Sequence, residues 1–329
     1  MKTSVIICTK NRPAELAKCI KSVESQSLTP DEIVVVDGGD TQVTQLKLQG
    51  EMNNISKLKY VRSNRPSYLT ADRNIGVKNS TGDIIVFVDD DTTLDRSFLK
   101  EIVSVFERDA DKRIGGVMGQ IANIQRVESI FKNPQTTLRH LVQSVFLLPK
   151  TGDGRFLASG SPTYVHGANT PRYVEFLSGC CMAYRKEVFE CLEFDEAFLE
   201  GHLYTDDEDF SYRVSRKYRN VYTPYAKLTH NPSPIGRDRK YVRAKMTVRG
   251  RHYLLRKNFP HNTRHVAAFW WSVIGLFILA LSAADKESAR GVINGATCIL
   301  NLHGSQWHRH EPKIIAQFQP GSSQLTRYH

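Results

Sequence analysis

Two runs of acidic residues carry most of the chemistry this sequence can offer: Asp89-Asp90-Asp91 and Asp206-Asp207-Glu208-Asp209. Three adjacent carboxylates repel one another, and a bound cation is a natural reason to tolerate them. If the first run is extended, Asp89 and Asp91 share a face, and their oxygens suit a hard cation such as Mg2+ or Mn2+. Asp91-Thr92-Thr93 would equally make a turn or cap a helix. The second run follows Thr205 and can open a helix, its acids complementing the dipole. It can also supply a general base: an isolated Asp, with a pKa near ~3.9, is a poor one, but crowded acids resist ionisation and become better ones. His230 stands alone, and reads either as an ordinary surface or core histidine or as a neutral imidazole ligand for a metal. The six cysteines, Cys8, Cys19, Cys180, Cys181, Cys191 and Cys298, form no CxxC pair and have no zinc-site spacing. They read as reduced, mostly buried thiols.

These residues need elements to position them. Residues 4–8, 32–37 and 83–88 are short apolar runs rich in β-branched residues, the pattern of parallel strands buried on both faces. Between the first two, Leu16, Ile20 and Val23 recur at helical spacing over residues 14–25, and residues 70–79 read as a second crossover helix before Thr81-Gly82. An α/β sheet follows, with ligands expected beyond the carboxyl ends of its strands. Each of those ends is polar: residues 9–12, then Asp37, then the triple aspartate. Residues 205–216 and 238–256 have helical patterns, and a strand is expected to end at His230.

The 329 residues include 45 Lys and Arg against 34 Asp and Glu, a formal net charge of +11. That excess is local. Fifteen basic residues face one acid, Asp238, between Arg213 and His265, which leaves the remainder slightly acidic. The basic tract runs into residues 266–284, which carry no charge, and then into a shorter apolar piece at 291–302. Nineteen residues make a helix of ~28 Å against a bilayer core of ~30 Å, so a membrane with anionic lipids is the expected partner rather than nucleic acid. Cations before Trp270 and Trp271 place the preceding domain on the cytoplasmic face. No export signal is read at the N-terminus, because the apolar run at 5–8 is too short for one.

In order along the chain, SVIICTKNRP, VVVDGGD, ADRNIGVKNSTGD, VFVDDDTTLD, FLSGCCMAYRKEVFE and TDDEDFSYRV resemble the inverting family-two glycosyltransferases of the GT-A fold, over about the first two-thirds of the sequence. The resemblance implies a Rossmann-like mixed sheet flanked by helices as a catalytic domain over 1–232. A basic amphipathic segment over 233–265 and membrane-associated helices and tail over 266–329 would follow. It implies a DxD motif in Asp89-Asp90-Asp91, the first contacting the nucleoside and Asp91 the metal, with His230 as a further ligand. Thr9, Arg12, Asp37, Arg73 and Asp90 are then expected around the nucleotide, Ser178, Gly179, Cys180 and Asp206 on the acceptor side, and Asp207 as the base. Basic residues of the 237–251 tract are expected to fold over the phosphates. The implied reaction is a single displacement from a UDP- or GDP-sugar to a hydroxyl of a saccharide, which the apolar C-terminal segment suggests is lipid-linked. A polyprenyl-phosphate acceptor would need no base. A nucleotidyltransferase on a related fold would want a glycine-rich loop near the N-terminus, and residues 9–13 contain no glycine. A basic module binding RNA or lipid would leave both acidic runs without a role.

Overall fold

The computed structural model describes residues 1–39, 44, 57–63, 68–124, 134–165, 167–199, 205–235 and 239–301. In chain order the sheet begins with β1 (Thr3–Thr9), α1 (Pro13–Glu24), β2 (Glu32–Asp37), β3 (Leu58–Arg62), α2 (Leu69–Lys78) and β4 (Ile84–Asp89). It continues through β5 (Thr92–Leu94), α3 (Phe98–Glu107), β6 (Ile114–Ile121) and α4 (Pro134–Val145). The short strands β7 (Lys150–Thr151), β8 (Thr163–Tyr164) and β9 (Arg172–Val174) lead to β10 (Cys181–Arg185), α5 (Asp206–Ser215) and β11 (Arg219–His230). Three helices follow: α6 (Lys240–Asn258), α7 (Thr263–Ser282) and α8 (Lys286–Asn301).

The main sheet has the order β3-β2-β1-β4-β10-β6-β11-β5, with β9 also pairing β11. It is mixed: β1 to β4 run parallel, β10 antiparallel to β4 and β6, and β11 parallel to β6. This is the expected α/β architecture. β1, β2 and β4 are continuous apolar runs because helices cover both faces; Val5, Ile7, Val34, Val35, Ile85 and Val86 are fully buried. α1 starts at Pro13, whose missing N–H costs nothing at the first turn, and packs Leu16, Ile20 and Val23 onto the sheet. α2 lies close to β1 only because residue 76 is glycine, where a Cβ would sit 2.5 Å from Ile6 Cγ2.

Register aligns the strand ends. Thr9 pairs with Asp37 and Cys8 with Asp89, so three polar termini share one edge of the sheet. β11 is long enough to serve two partners, β9 beside its first half and β5 beside its last three residues, which sets His230 opposite Thr92. The C-terminal helices are not an isolated appendage. Val248, Leu254 and Leu255 of α6, Phe269 and Val273 of α7, and Val292 and Ile299 of α8 build a second apolar core that also takes in Tyr212 of α5 and Phe259. Residue 302 and the tail beyond it lie outside the described residues, as do Arg237 and Asp238 of the basic tract.

Candidate active site

β4 delivers Asp89, and the turn into β5 delivers Asp90 and Asp91. Asp89 and Asp91 come together with His230, one ligand atom from each lying within 4.8 Å of the others. The physical reason is the turn and the β5–β11 pairing rather than strand alternation alone. His230 Nε2 lies 3.1 Å from Asp91 Oδ1, and Asp91 Oδ2 accepts from the Ser233 backbone N–H at 2.9 Å. Burial opposes ionisation of Asp91, but His230, that N–H and Arg12 outweigh it and hold the carboxyl below its usual range. His230 is pushed up to about 10, first by Asp91 and then by Cys180. Once a cation displaces the proton that His230 shares with Asp91, two carboxylates and a neutral imidazole at this spacing form a donor set that fits a divalent cation.

Asp90 points the other way. It accepts from Thr9 Oγ1 at 2.7 Å and pairs with Arg12 Nε at 3.2 Å, while its Oδ1 is buried without a partner. Burial is the main reason its pKa is pushed up to about 7. Thr9 and Arg12 therefore brace the triple aspartate from behind. Asp37, at the end of β2, is buried and accepts from the Gly39 N–H at 2.8 Å and the Tyr60 hydroxyl at 2.6 Å.

The helix-opening reading of the second acidic run holds in part. Asp206 begins α5, but the Thr205 hydroxyl makes no cap bond and is buried without a partner. The four acids have four environments. Asp209 pairs with Arg213 and Lys257; burial opposes its charge, yet these cations hold it low. Asp206 pairs with Arg73, whose guanidinium is buried over the Phe194 ring. Burial pushes Glu208 up to about 8, against the pull of Arg251. Asp207 is pushed up to about 7, by burial first and Asp206 second, although Oδ2 accepts from the Gly179 N–H and Oδ1 from the Glu208 N–H, each at 2.9 Å.

A cavity of about 410 Å³ joins the two acidic centres. Asp89, His230, Ser178, Gly179, Cys180, Asp206, Asp207 and Arg73 line it, so eight of the thirteen expected site residues meet in one place. Gly179 leaves room for the Arg73 guanidinium, since a Cβ would fall 2.6 Å from Arg73 Nη2 and the guanidinium would have to shift. Thr9, Arg12, Asp37, Asp90 and Asp91 are not on the lining; Asp91 reaches it through His230. The remaining lining is mostly apolar and includes Tyr164, Val165, Phe176, Met118 and Ile121. Sequence reasoning did not find Tyr164, Val165 and Phe176, because residues 150–176 carry no clear period and, among the described residues, supply only the short strands β7, β8 and β9. Arg251, from the basic tract, is not on the lining but buried, with Nε and Nη1 unpartnered.

The fold matches a mannosyltransferase from Pyrobaculum calidifontis in complex with GDP-Man and Mn2+, with a TM-score of 0.55 and 18% identity, covering 91% of this chain and 80% of that one. A glucosyl-dolichyl phosphate glucuronosyltransferase of Haloferax volcanii is 27% identical over 122 residues, 36% of this chain and 38% of the relative. A GalNAc(5)-diNAcBac-PP-undecaprenol beta-1,3-glucosyltransferase of Campylobacter jejuni is 32% identical over 94 residues, 28% of this chain and 30% of the relative. The matched stretches thus span 30–38% of these two relatives' length. The model of Glycosyl transferase family 2 matches residues 4–193, more than half of the sequence, and the chain belongs to that family.

Proposed function

We propose that this chain is a metal-dependent, inverting glycosyltransferase. It moves a sugar from a UDP- or GDP-linked donor to a hydroxyl of a lipid-carried saccharide at the cytoplasmic face of a membrane. The observation that carries the reading is the single cavity running from the Asp89–His230 side to Asp207. A donor diphosphate needs cations at one end of such a space, and an attacking hydroxyl needs a base at the other. The relatives' own donors and lipid-linked substrates, GDP-Man and dolichyl or undecaprenyl carriers, are consistent with this.

Asp89, Asp91 and His230 would hold Mg2+ or Mn2+, which supplies Lewis-acid stabilisation of the departing diphosphate. Asp89-Asp90-Asp91 is then a DxD motif, with Thr9, Arg12 and Asp37 shaping the nucleotide side behind it. Asp207 takes the proton of the acceptor hydroxyl as its oxygen bonds to the anomeric carbon and the bond to the diphosphate breaks on the opposite face. Arg73 pairs with Asp206 on the cavity lining, so its role is to position the acids on the acceptor side. Ser178, Gly179 and Cys180 border the acceptor, and Gly179 N–H fixes the Asp207 carboxylate. A saccharide hydroxyl, unlike a polyprenyl phosphate, must be deprotonated as it reacts, which is why a base at this position favours a saccharide. Residues 1–232 carry catalysis and 266–329 attachment, with 233–265 joining them through α6.

The test is release of nucleoside diphosphate from a panel of UDP- and GDP-sugars. Turnover is expected to require Mn2+ or Mg2+, to vanish in excess EDTA, and to fall by ~10²-fold or more in Asp91→Ala. Full turnover in EDTA would overturn the metal-dependent reading.

A further inference from the structure

We infer that α4 and α7 together form an in-plane docking surface for an anionic lipid bilayer, so that the chain lies on the membrane rather than crossing it with α7. The inference rests on the membrane attachment proposed above and goes further by fixing its mode and adding a helix from the catalytic domain. α7 is long and apolar enough to cross a bilayer, yet only 28% of its most apolar stretch is buried. Its exposed residues are not scattered. Trp271, Ile274, Ile278 and Leu281 recur at the spacing of one helix face. Leu138, Leu141 and Val145 make the same pattern on α4, and these seven side chains are 38–61% exposed.

The two stripes are stitched together. Trp271 stacks on Phe146 with ring centroids 4.7 Å apart, and its indole N–H donates to the Val145 carbonyl at 2.8 Å. Gly275 permits the approach, since a Cβ there would lie 2.2 Å from Phe146 Cβ. One apolar surface results, with exposed Arg139 on the flank of the α4 stripe and exposed Arg264 one turn before Ala267 at the head of the α7 stripe. Neither helix contains an acidic residue. An apolar face on two helices that carry cations and no acids complements the acyl chains and negative headgroups of an anionic leaflet.

The opposite face of α7 decides between lying in the interface and spanning. Phe269 and Val273 are committed to the second core with Val248 and Leu254 of α6 and Val292 of α8. A spanning α7 would have to abandon those contacts or carry α6, with Arg243, Lys245 and Arg249, into hydrocarbon, where cations are costly.

The 329-residue chain is floated with vesicles of phosphatidylglycerol and phosphatidylcholine, and with phosphatidylcholine alone, then washed at alkaline pH. Binding is expected on the anionic vesicles, with release by the wash. Leu138→Glu/Leu141→Glu and Ile274→Glu/Ile278→Glu should each weaken partition by about tenfold or more, with unchanged melting temperature and unchanged transfer to a water-soluble acceptor. Wild-type binding that the α4 pair leaves intact, or that resists the wash, overturns the two-helix surface while leaving attachment standing. Failure of the wild type to bind either vesicle overturns both. A wild-type dimer in solution that these pairs split, without vesicle binding, would assign the face to a second copy of the chain instead.

Discussion

Among single residues, Asp207 joins catalysis and stability most directly. Its carboxyl is pushed up to about 7 by burial and by Asp206, so below that pH the proposed base is protonated and silent. Turnover with the true acceptor should climb about tenfold per pH unit under roughly pH 6 and level off above about 8. The same ionisation opposes folding. A carboxyl whose folded pKa is raised favours the native state while protonated, and that contribution is lost as pH rises from the unfolded value near ~3.9 through about 7. Asp207→Asn should therefore cost ~10²-fold or more in turnover, keep donor binding, and show a smaller fall in melting temperature between about pH 5 and pH 8 than the wild type. Near-normal turnover in that variant would point to a phosphate acceptor or another base. The acids of this site were legible because like charges in a row need a cause. Their individual duties were not, because those depend on partners distant in sequence: Arg73 reaches Asp206 across 133 residues, and Gly179 reaches Asp207 across 28.

For elements, legibility followed unbroken β-branched apolar runs rather than burial alone, since β6 is largely buried but interrupted by Gly115, Gly116 and Gly119 and was not read. β1, β2 and β4 could be read directly, since strands covered on both faces become unbroken apolar runs, and α1 and α2 fell within a residue or two of expectation. β3, β5 and β9 were not read, being short and set at or beside the sheet's edges, where half-exposed residues blur the pattern. α4 was missed for a different reason: its apolar residues face outward, so its period looked like no core helix. The packing of α6 on α8 was equally hidden, because it depends on glycine. At Gly291 a Cβ would lie 2.3 Å from the Tyr241 carbonyl oxygen, and at Gly295 2.8 Å from that of Lys245. Alanine gains ~1 kcal/mol of helix propensity over glycine, but forcing a methyl group against backbone costs ~1–3 kcal/mol. The net cost, up to about 2 kcal/mol, means that Gly291→Ala should lower the melting temperature by up to roughly 4 °C, read by circular dichroism. A rise would mean that the two helices can separate freely.

At the scale of the whole molecule, the C-terminal helices cannot be treated as a removable anchor. From sequence, residues 266–329 look like an attachment that could be cut away to leave a soluble enzyme. In the fold, α7 and α8 supply Phe269, Val273, Val292 and Ile299 to the core that covers Val248, Leu254 and Leu255 of α6 together with Tyr212 and Phe259. Tyr212 belongs to α5, the helix that begins with Asp206 and Asp207, and Lys257 and Asn258 of α6 hold Asp209 from the other side. At ~1.5–3 kcal/mol for each buried apolar side chain, exposing those five residues is comparable, as an upper bound, with the ~5–15 kcal/mol that holds a whole domain together. A chain ending at Arg264 should therefore melt several degrees lower than the full-length protein, or aggregate, and should lose turnover with a water-soluble acceptor because α5 is no longer supported. Size-exclusion chromatography, a thermal melt and that assay read all three consequences. A monomeric, fully active truncated chain with an unchanged melting temperature would show that the second core contributes nothing to the first, and that α7 and α8 serve the membrane alone.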